Sequence, residues 1–363
     1  MGYEPNERAL DEACGWHERA EDALAEARLD PALELATRAL AVMERELGDH
    51  PDTANVLETL ARVELARCGF ARARELAERA VRAVRGFDPG LAEPIALITI
   101  RAYGSLGAAL RELGRYDDAE VSLSMALGLA RAHLGPDDVE TANALSNLGV
   151  LHKYQGRFDA SQRRYEAALT ILSRVYGPEH RELACLYHNL GGLAHSRGAY
   201  AEGEAPARKA VALRTAAVGP EHPAVAADES ALASLLEGQG RLDEAEELYV
   251  RALATFERAF GDVHFEVAHT HHQLGSLRHR QGRLDEAAAH YERALEIKRA
   301  LFEPDHPEMG IALNEAAALA LARGRRGEAA ALYARALPIF ESTLGPHHPY
   351  TLGLREDAGA LVG

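Results

Sequence analysis

The chain has 363 residues, 56 acidic against 40 basic, and a formal net charge of −16. That balance argues against a general nucleic-acid or anionic-membrane surface, which needs a basic field, and leaves room only for a local basic strip. Three scattered cysteines (Cys14, Cys68 and Cys185) form no Cys-x-x-Cys pattern and no disulfide framework, and the first residues carry no apolar secretory core, so a soluble cytoplasmic chain in a reducing compartment is expected.

Residues 5–50 read as a degenerate helical hairpin. Pro5-Asn6 suits a helix start, Asp30-Pro31 suits a second one, and Gly48 closes it. Residues 52–94 form a second hairpin, with Cys68 where a turn glycine would stand. The segment 86–94, with two prolines and two glycines, is the expected kink.

From Ile95 the chain becomes regular. Gly114, Gly156, Gly198, Gly240, Gly282 and Gly324 recur every 42 residues. First helices are expected to begin near Ile95, Glu140, Glu182, Ala224, Glu266 and Glu308, and second helices near Tyr116, Phe158, Tyr200, Leu242, Leu284 and Arg326. In the second helices, Ala245, Tyr249 and Ala252 repeat as Ala287, Tyr291 and Ala294, small residues that let helices approach with an aromatic between turns. Gly135, Gly177, Gly219, Gly261 and Gly345 close the second helices by taking a left-handed conformation, while Glu303 replaces that glycine and predicts a weaker cap. The last residues, 352–363, are expected to form a capping helix.

The expectation is an all-α, right-handed superhelical solenoid of helix-turn-helix repeats. Residues 1–94 hold two degenerate repeats, 95–351 six regular ones and 352–363 the cap, as one continuous array.

The small residue in each first helix, Gly-x-Tyr/Phe at the turn, and Ala, aromatic, Ala in the second helix resemble tetratricopeptide repeats. The 42-residue period and the linkers GPEHR, GPEHP, EPDHP and GPHHP narrow the resemblance to the kinesin light chain-like type. The closest matches are SNLGVLHKYQGRFDASQRRYEAAL and HQLGSLRHRQGRLDEAAAHYERALEIKRALFEPDHP. No heptad coiled coil accompanies them, so the resemblance implies an architecture and a peptide-binding groove, without a motor-linked role.

The resemblance implies that certain first-helix positions face a concave groove. They include Arg101, Asn143 and His269; Ser146, His188, Ser230, His272 and Asn314; and Arg111, Lys153, His195 and His279. Only Glu58 and Glu237 oppose the basic groups in these columns. Asn147 and Asn189 stand where the family uses asparagine to hold a bound peptide, in a ladder interrupted by Ser105, Ala231, Gln273 and Glu315. The expected ligand is an extended, acidic peptide or protein segment, since Asn and Ser can bond its main chain and Arg or Lys its carboxylates.

Six histidines lie between His264 and His290. His269 and His272 share a helical face, and histidines so spaced can bind zinc, yet no Cys, Asp or Glu completes a motif; a polar groove wall is the expectation, with no metal and no cofactor. Protonation of this cluster near neutral pH is expected to strengthen an acidic ligand's binding. The linker histidines His180, His222, His264, His306 and His348 recur at the repeat period and are expected to start helices, and Trp16 is expected to pack. No nucleophile elbow, phosphate loop or Cys–His arrangement supports an enzyme. The expected function is a non-catalytic interaction scaffold, with a regulatory or inhibitory partner subunit of a separate enzyme or ATPase as the alternative.

Overall fold

The computed structural model describes residues 5–87, 93–346 and 348–361. It is all-α: the described residues form seventeen α-helices and one short 3-10 turn, and no strand. The chain divides into two compact units, 1–151 and 152–363.

The first unit holds the hairpins α1 (Glu7–Ala25) with α2 (Leu29–Leu47), α3 (Pro51–Ala66) with α4 (Phe70–Val84), and α5 (Glu93–Glu112) with α6 (Tyr116–His133). Helix α7 (Val139–Tyr154) contains the point of division. The segment expected to kink lies mostly at 88–92, outside the described residues. Helices α4 and α5 pack together on either side of it, so the first unit runs through it. The second unit holds α8 (Phe158–Tyr176), then α9 (Ala184–Ser196) with α10 (Tyr200–Val218), α11 (Pro223–Gly238) with α12 (Leu242–Phe260), α13 (Phe265–Arg280) with α14 (Leu284–Leu301), α15 (Pro307–Ala322) with α16 (Arg326–Thr343), and α17 (Pro349–Gly359).

The second helices begin at the residues their turn motifs predict. Each turn glycine takes a left-handed conformation, such as Gly156 at φ 70° and Gly240 at φ 81°. In the degenerate repeats Ala27 (φ 55°) and Cys68 (φ 64°) hold that conformation with a side chain, which costs them steric strain. Where Glu303 replaces the closing glycine, α14 still runs 18 residues, as α6 and α16 do with glycine at that position. Phe302 leaves the helix at φ −125°, an extended conformation open to any residue.

The linker histidines cap the first helices. In His50, His180, His222, His264, His306 and His348 the ring Nδ1 accepts the backbone N–H two residues on, at 3.1–3.3 Å. Only the neutral ring has that lone pair. Asp138 does the same work with a carboxylate, accepting from Glu140 N–H at 2.8 Å. An aromatic at or just past the end of the preceding helix stacks on several of these rings: Tyr176 on His180, Phe260 on His264 and Phe302 on His306, at 4.7, 4.2 and 4.2 Å.

The core lies between the two helices of each hairpin and between neighbouring hairpins. Ala245, Tyr249, Ala252 and Phe256 of α12 are fully enclosed. Burying a side chain of Phe or Leu size contributes about 1.5–3 kcal/mol, so the aromatic layer carries much of each repeat. Gly275 makes this packing close: a Cβ there would lie 2.7 Å from the Tyr291 ring. Trp16 packs into the core of the first unit, with the Arg38 guanidinium 4.3 Å above its ring.

Candidate functional site

Within each unit, first helices of successive repeats touch: α1 with α3 and α3 with α5 in one, α9 with α11, α11 with α13 and α13 with α15 in the other. The first helices therefore run side by side along one continuous face of each unit. The second unit curves far enough that His348, at the start of α17, bonds the Tyr154 carbonyl at 2.9 Å.

In the first unit, Arg101 grips Glu140 through two nitrogens, at 2.7 and 3.0 Å, and Asn143 donates to the same carboxylate at 3.3 Å. Arg111 holds its neighbour Glu112 at 2.6 Å. Asn147 lies beside Gly104, its amide 3.9 Å from where a Cβ would stand, and Ser146 is half-buried on the same helix. Glu58 is buried and accepts from Ser105 at 2.7 Å; burial raises its pKa while Arg62 opposes the rise. These polar side chains therefore interlock repeats.

The second unit treats its predicted residues unevenly. The His188 ring bonds buried Asp228 at 2.8 Å, and Arg214 holds the other oxygen at 2.6 Å. Ser230 donates to Gln273, which donates in turn to Ser234. Asn189 reaches Cys185 one turn back. Glu237 collects Ser276, Tyr249 and, at 3.7 Å, Arg280. His279 and Asn314 are half-buried on α13 and α15.

Four predicted residues converge. Lys153 lies 3.6 Å from the position a Cβ on Gly192 would take, against α9. His195 sits near it, and its pKa is lowered by burial and then by Lys153. His269 and His272 stack their rings at 6.3 Å on α13. Burial lowers His269 to about 4; Glu308 opposes, while Lys298, His195 and Lys153 push further down. Burial and Lys298 bring His272 to about 3.

The expectation of a protonation switch near neutral pH is thus corrected for His269 and His272. Both are neutral there, because burial desolvates them and Lys298 stands beside them. The charge balance of the strip also differs from the sequence expectation. Beyond Glu58 and Glu237, carboxylates of Glu140, Glu112, Asp228 and Glu308 stand among or beside the predicted basic groups.

Sequence reasoning missed Lys298. It is 1% exposed, on a second helix, and its ammonium donates to Glu308 at 2.6 Å. Burial drives the Glu308 carboxyl up, yet Lys298 overrides it and holds it at about 2. The signal was present: Lys298 occupies the buried stripe of Ala294, Ile297 and Leu301 at helical spacing. Tyr350 was missed too. It is 53% exposed at the start of α17, with its ring 6.4 Å from that of Phe340.

Among the described residues, no three His, Cys, Asp or Glu side chains converge as a metal site, and no helix is long and apolar enough to cross a membrane. What the face offers is hydrogen-bonding and cationic groups on rigid helices.

This stack of hairpins is the tetratricopeptide solenoid class. The tetratricopeptide repeat profile matches residues 11–85, 98–174, 141–216, 182–258, 225–300 and 266–342, so the chain belongs to that family. None of the curated proteins compared with it matches. Among solved structures, it is similar to the Rap conjugation gene regulator of the plasmid pLS20 in complex with the Phr* peptide: TM-score 0.64 and 15% identity, over 94% of this chain and 97% of that one. A Rap protein complexed with Competence and Sporulation Factor gives 0.61 and 13%, over 97% and 99%. A Podosopora anserina putative kinesin light chain with nearly identical repeats gives 0.42 and 21%, over 57% and 98%. The two Rap likenesses support the fold.

Proposed function

We propose that this chain is a non-catalytic scaffold that binds an extended segment of a partner protein on the concave face of its second unit. The observation that carries the reading is the convergence of Lys153, His195 and His269, from three first helices: Lys153 stands against α9 at Gly192, and its charge acts on both rings. A strand-like segment laid across these helices meets a cation at Lys153, neutral donors and acceptors at His195, His269 and His272, and amides at Asn189 and Asn314. An acidic side chain of the ligand fits the Lys153–His195 end. Arg101, Arg111, Asn143, Ser146, Asn147, His188, Ser230 and His279 serve as flanking polar positions, several of them already bonded within the chain. One fold neighbour is in complex with a peptide, which favours a peptide over a small molecule. That neighbour is a gene regulator, which favours the second reading, a regulatory subunit acting through a partner.

The test is recovery of partners from an extract on immobilised chain, beside a Lys153→Glu/His195→Glu variant that unfolds at the same temperature. Binding by the parent that is lost in the variant, and restored on peptides whose acidic residues are replaced by lysine, supports the site and its charge preference. Equal recovery by both chains refutes it.

A further inference from the structure

We propose that the exposed face of α6 is a self-association surface, on which α6 of a second copy of this chain packs antiparallel about a two-fold axis at Ser124. The inference is independent of the ligand reading above, because α6 is a second helix of the first unit.

Helix α6 buries Ala119, Leu123, Ala126, Leu127 and Ala130. At about 3.6 residues per turn these share one side of the helix. Asp117, Val121, Ser124, Met125, Gly128 and Arg131 fall on the other side, and all six are exposed. Val121 is 67% exposed and Met125 46%, so two large apolar side chains stand in water one turn apart. An open groove of about 370 Å³ runs beside them, lined by Glu120, Val121, Ser124 and Met125. Gly128, one turn on, has nothing within 4 Å of where a Cβ would stand. The distance between packed helices follows the side chains at the contact, so a glycine there lets a second helix come close.

The two ends of the face decide what fits it. Asp117 lies in the first turn of α6 and Arg131 in the last. Each stands two turns from Ser124, on opposite sides of it, about 10.5 Å along the axis. Among the described residues neither has an ion-pair partner within the chain, whereas the adjacent Asp118 is held by Arg115 at 2.6 Å. Rotating a second copy about a two-fold axis at Ser124 sets the two helices antiparallel. Asp117 of each copy then meets Arg131 of the other, and Val121 falls against Gly128 of the other. A parallel copy sets Asp117 on Asp117 and Arg131 on Arg131. The face is therefore complementary to itself in the antiparallel orientation, as a two-fold interface requires. One helix pair buries less than a stable dimer needs, and each copy carries a net charge of −16, so the dimer is weak and reversible.

The experiment is sedimentation equilibrium of the full chain from about 1 µM to about 300 µM, the range of weak association. The mass should rise from that of one chain, 39.3 kDa, toward that of two. Asp117→Arg alone and Arg131→Asp alone each bring like charges together and should weaken association by at least about tenfold. An equimolar mixture of those two variants pairs opposite charges at both ends and should associate as the parent does, a recovery that misfolded variants would not give. Val121→Glu should abolish the dimer and leave the unfolding of dilute protein near that of the parent. A single-chain mass at every concentration would overturn the proposal and leave the face to a different partner. Association that survives both single charge variants, or a mixture that stays monomeric, would also overturn it.

Discussion

His348 and Tyr154 are 194 residues apart, yet the imidazole Nε2–H of one donates to the backbone carbonyl of the other at 2.9 Å. The same ring caps α17 by accepting the Tyr350 N–H through Nδ1 at 3.2 Å, so one neutral tautomer serves both bonds. The second unit is thereby closed on itself, and α17 is held at two ends of one side chain. His348→Ala removes both bonds. Docking of α17 should weaken by about 1–2 kcal/mol, the range for a lost cap and a lost hydrogen bond. Hydrogen exchange should rise roughly tenfold in α17 amides and stay unchanged in α12. Equal rates in α17 would refute the closure.

Stability should fall with acid. Histidine in an unfolded chain titrates near about 6.5, whereas folded His269 and His272 sit at about 4 and about 3 and His348 is lowered by burial. The folded pKa values are depressed, so their contribution is full above the unfolded pKa and is lost as pH falls from there toward the folded values. Urea midpoints should be flat from pH 8 to 7 and drop by about 1–3 kcal/mol equivalents at pH 5. A rise in stability on acidification would contradict the sign.

Lys298 and Glu308 are a buried pair whose members depend on each other. Lys298→Met leaves the carboxylate enclosed without a cation and should cost about 3–5 kcal/mol, while Lys298→Met/Glu308→Gln should recover most of that loss. The single variant should also raise the pKa of His272, since Lys298 is the leading charge that lowers it. Chemical denaturation and imidazole NMR titration check both statements.

Gly275→Ala should destabilise the α13–α14 hairpin by about 1–3 kcal/mol, because the new methyl meets the buried Tyr291 ring at 2.7 Å and neither can move freely. Gly128→Ala, where a Cβ meets nothing, is the matched control and should be neutral or stabilising. Thermal unfolding of the two variants separates crowding from helix propensity.

Ala27→Gly should stabilise the first unit by about 1 kcal/mol. Ala27 holds φ 55° in a turn where later repeats use glycine, and removal of the side chain relieves that strain. The gain should appear in the unfolding midpoint. Gly240→Ala, at φ 81°, should lose a similar amount, and a loss in both variants would argue against strain at Ala27.

The sequence by itself determined the repeat, the hairpins and most helix ends. Those features are local: a glycine that can take positive φ, a histidine or aspartate two residues before a free N–H, and an Ala–aromatic–Ala stripe act within one or two turns. The tertiary structure decided which polar groups face one another. Arg101 meets Glu140, His188 meets Asp228 and Ser230 meets Gln273 only because stacking brings neighbouring repeats into contact about one repeat apart. His271 finds His290 because side chains on facing helices meet, while His269 and His272, three apart on one helix, merely stack. Partner choice and protonation depend on curvature, desolvation and rotamer. Those arise from the assembled stack, and no single 42-residue repeat contains them.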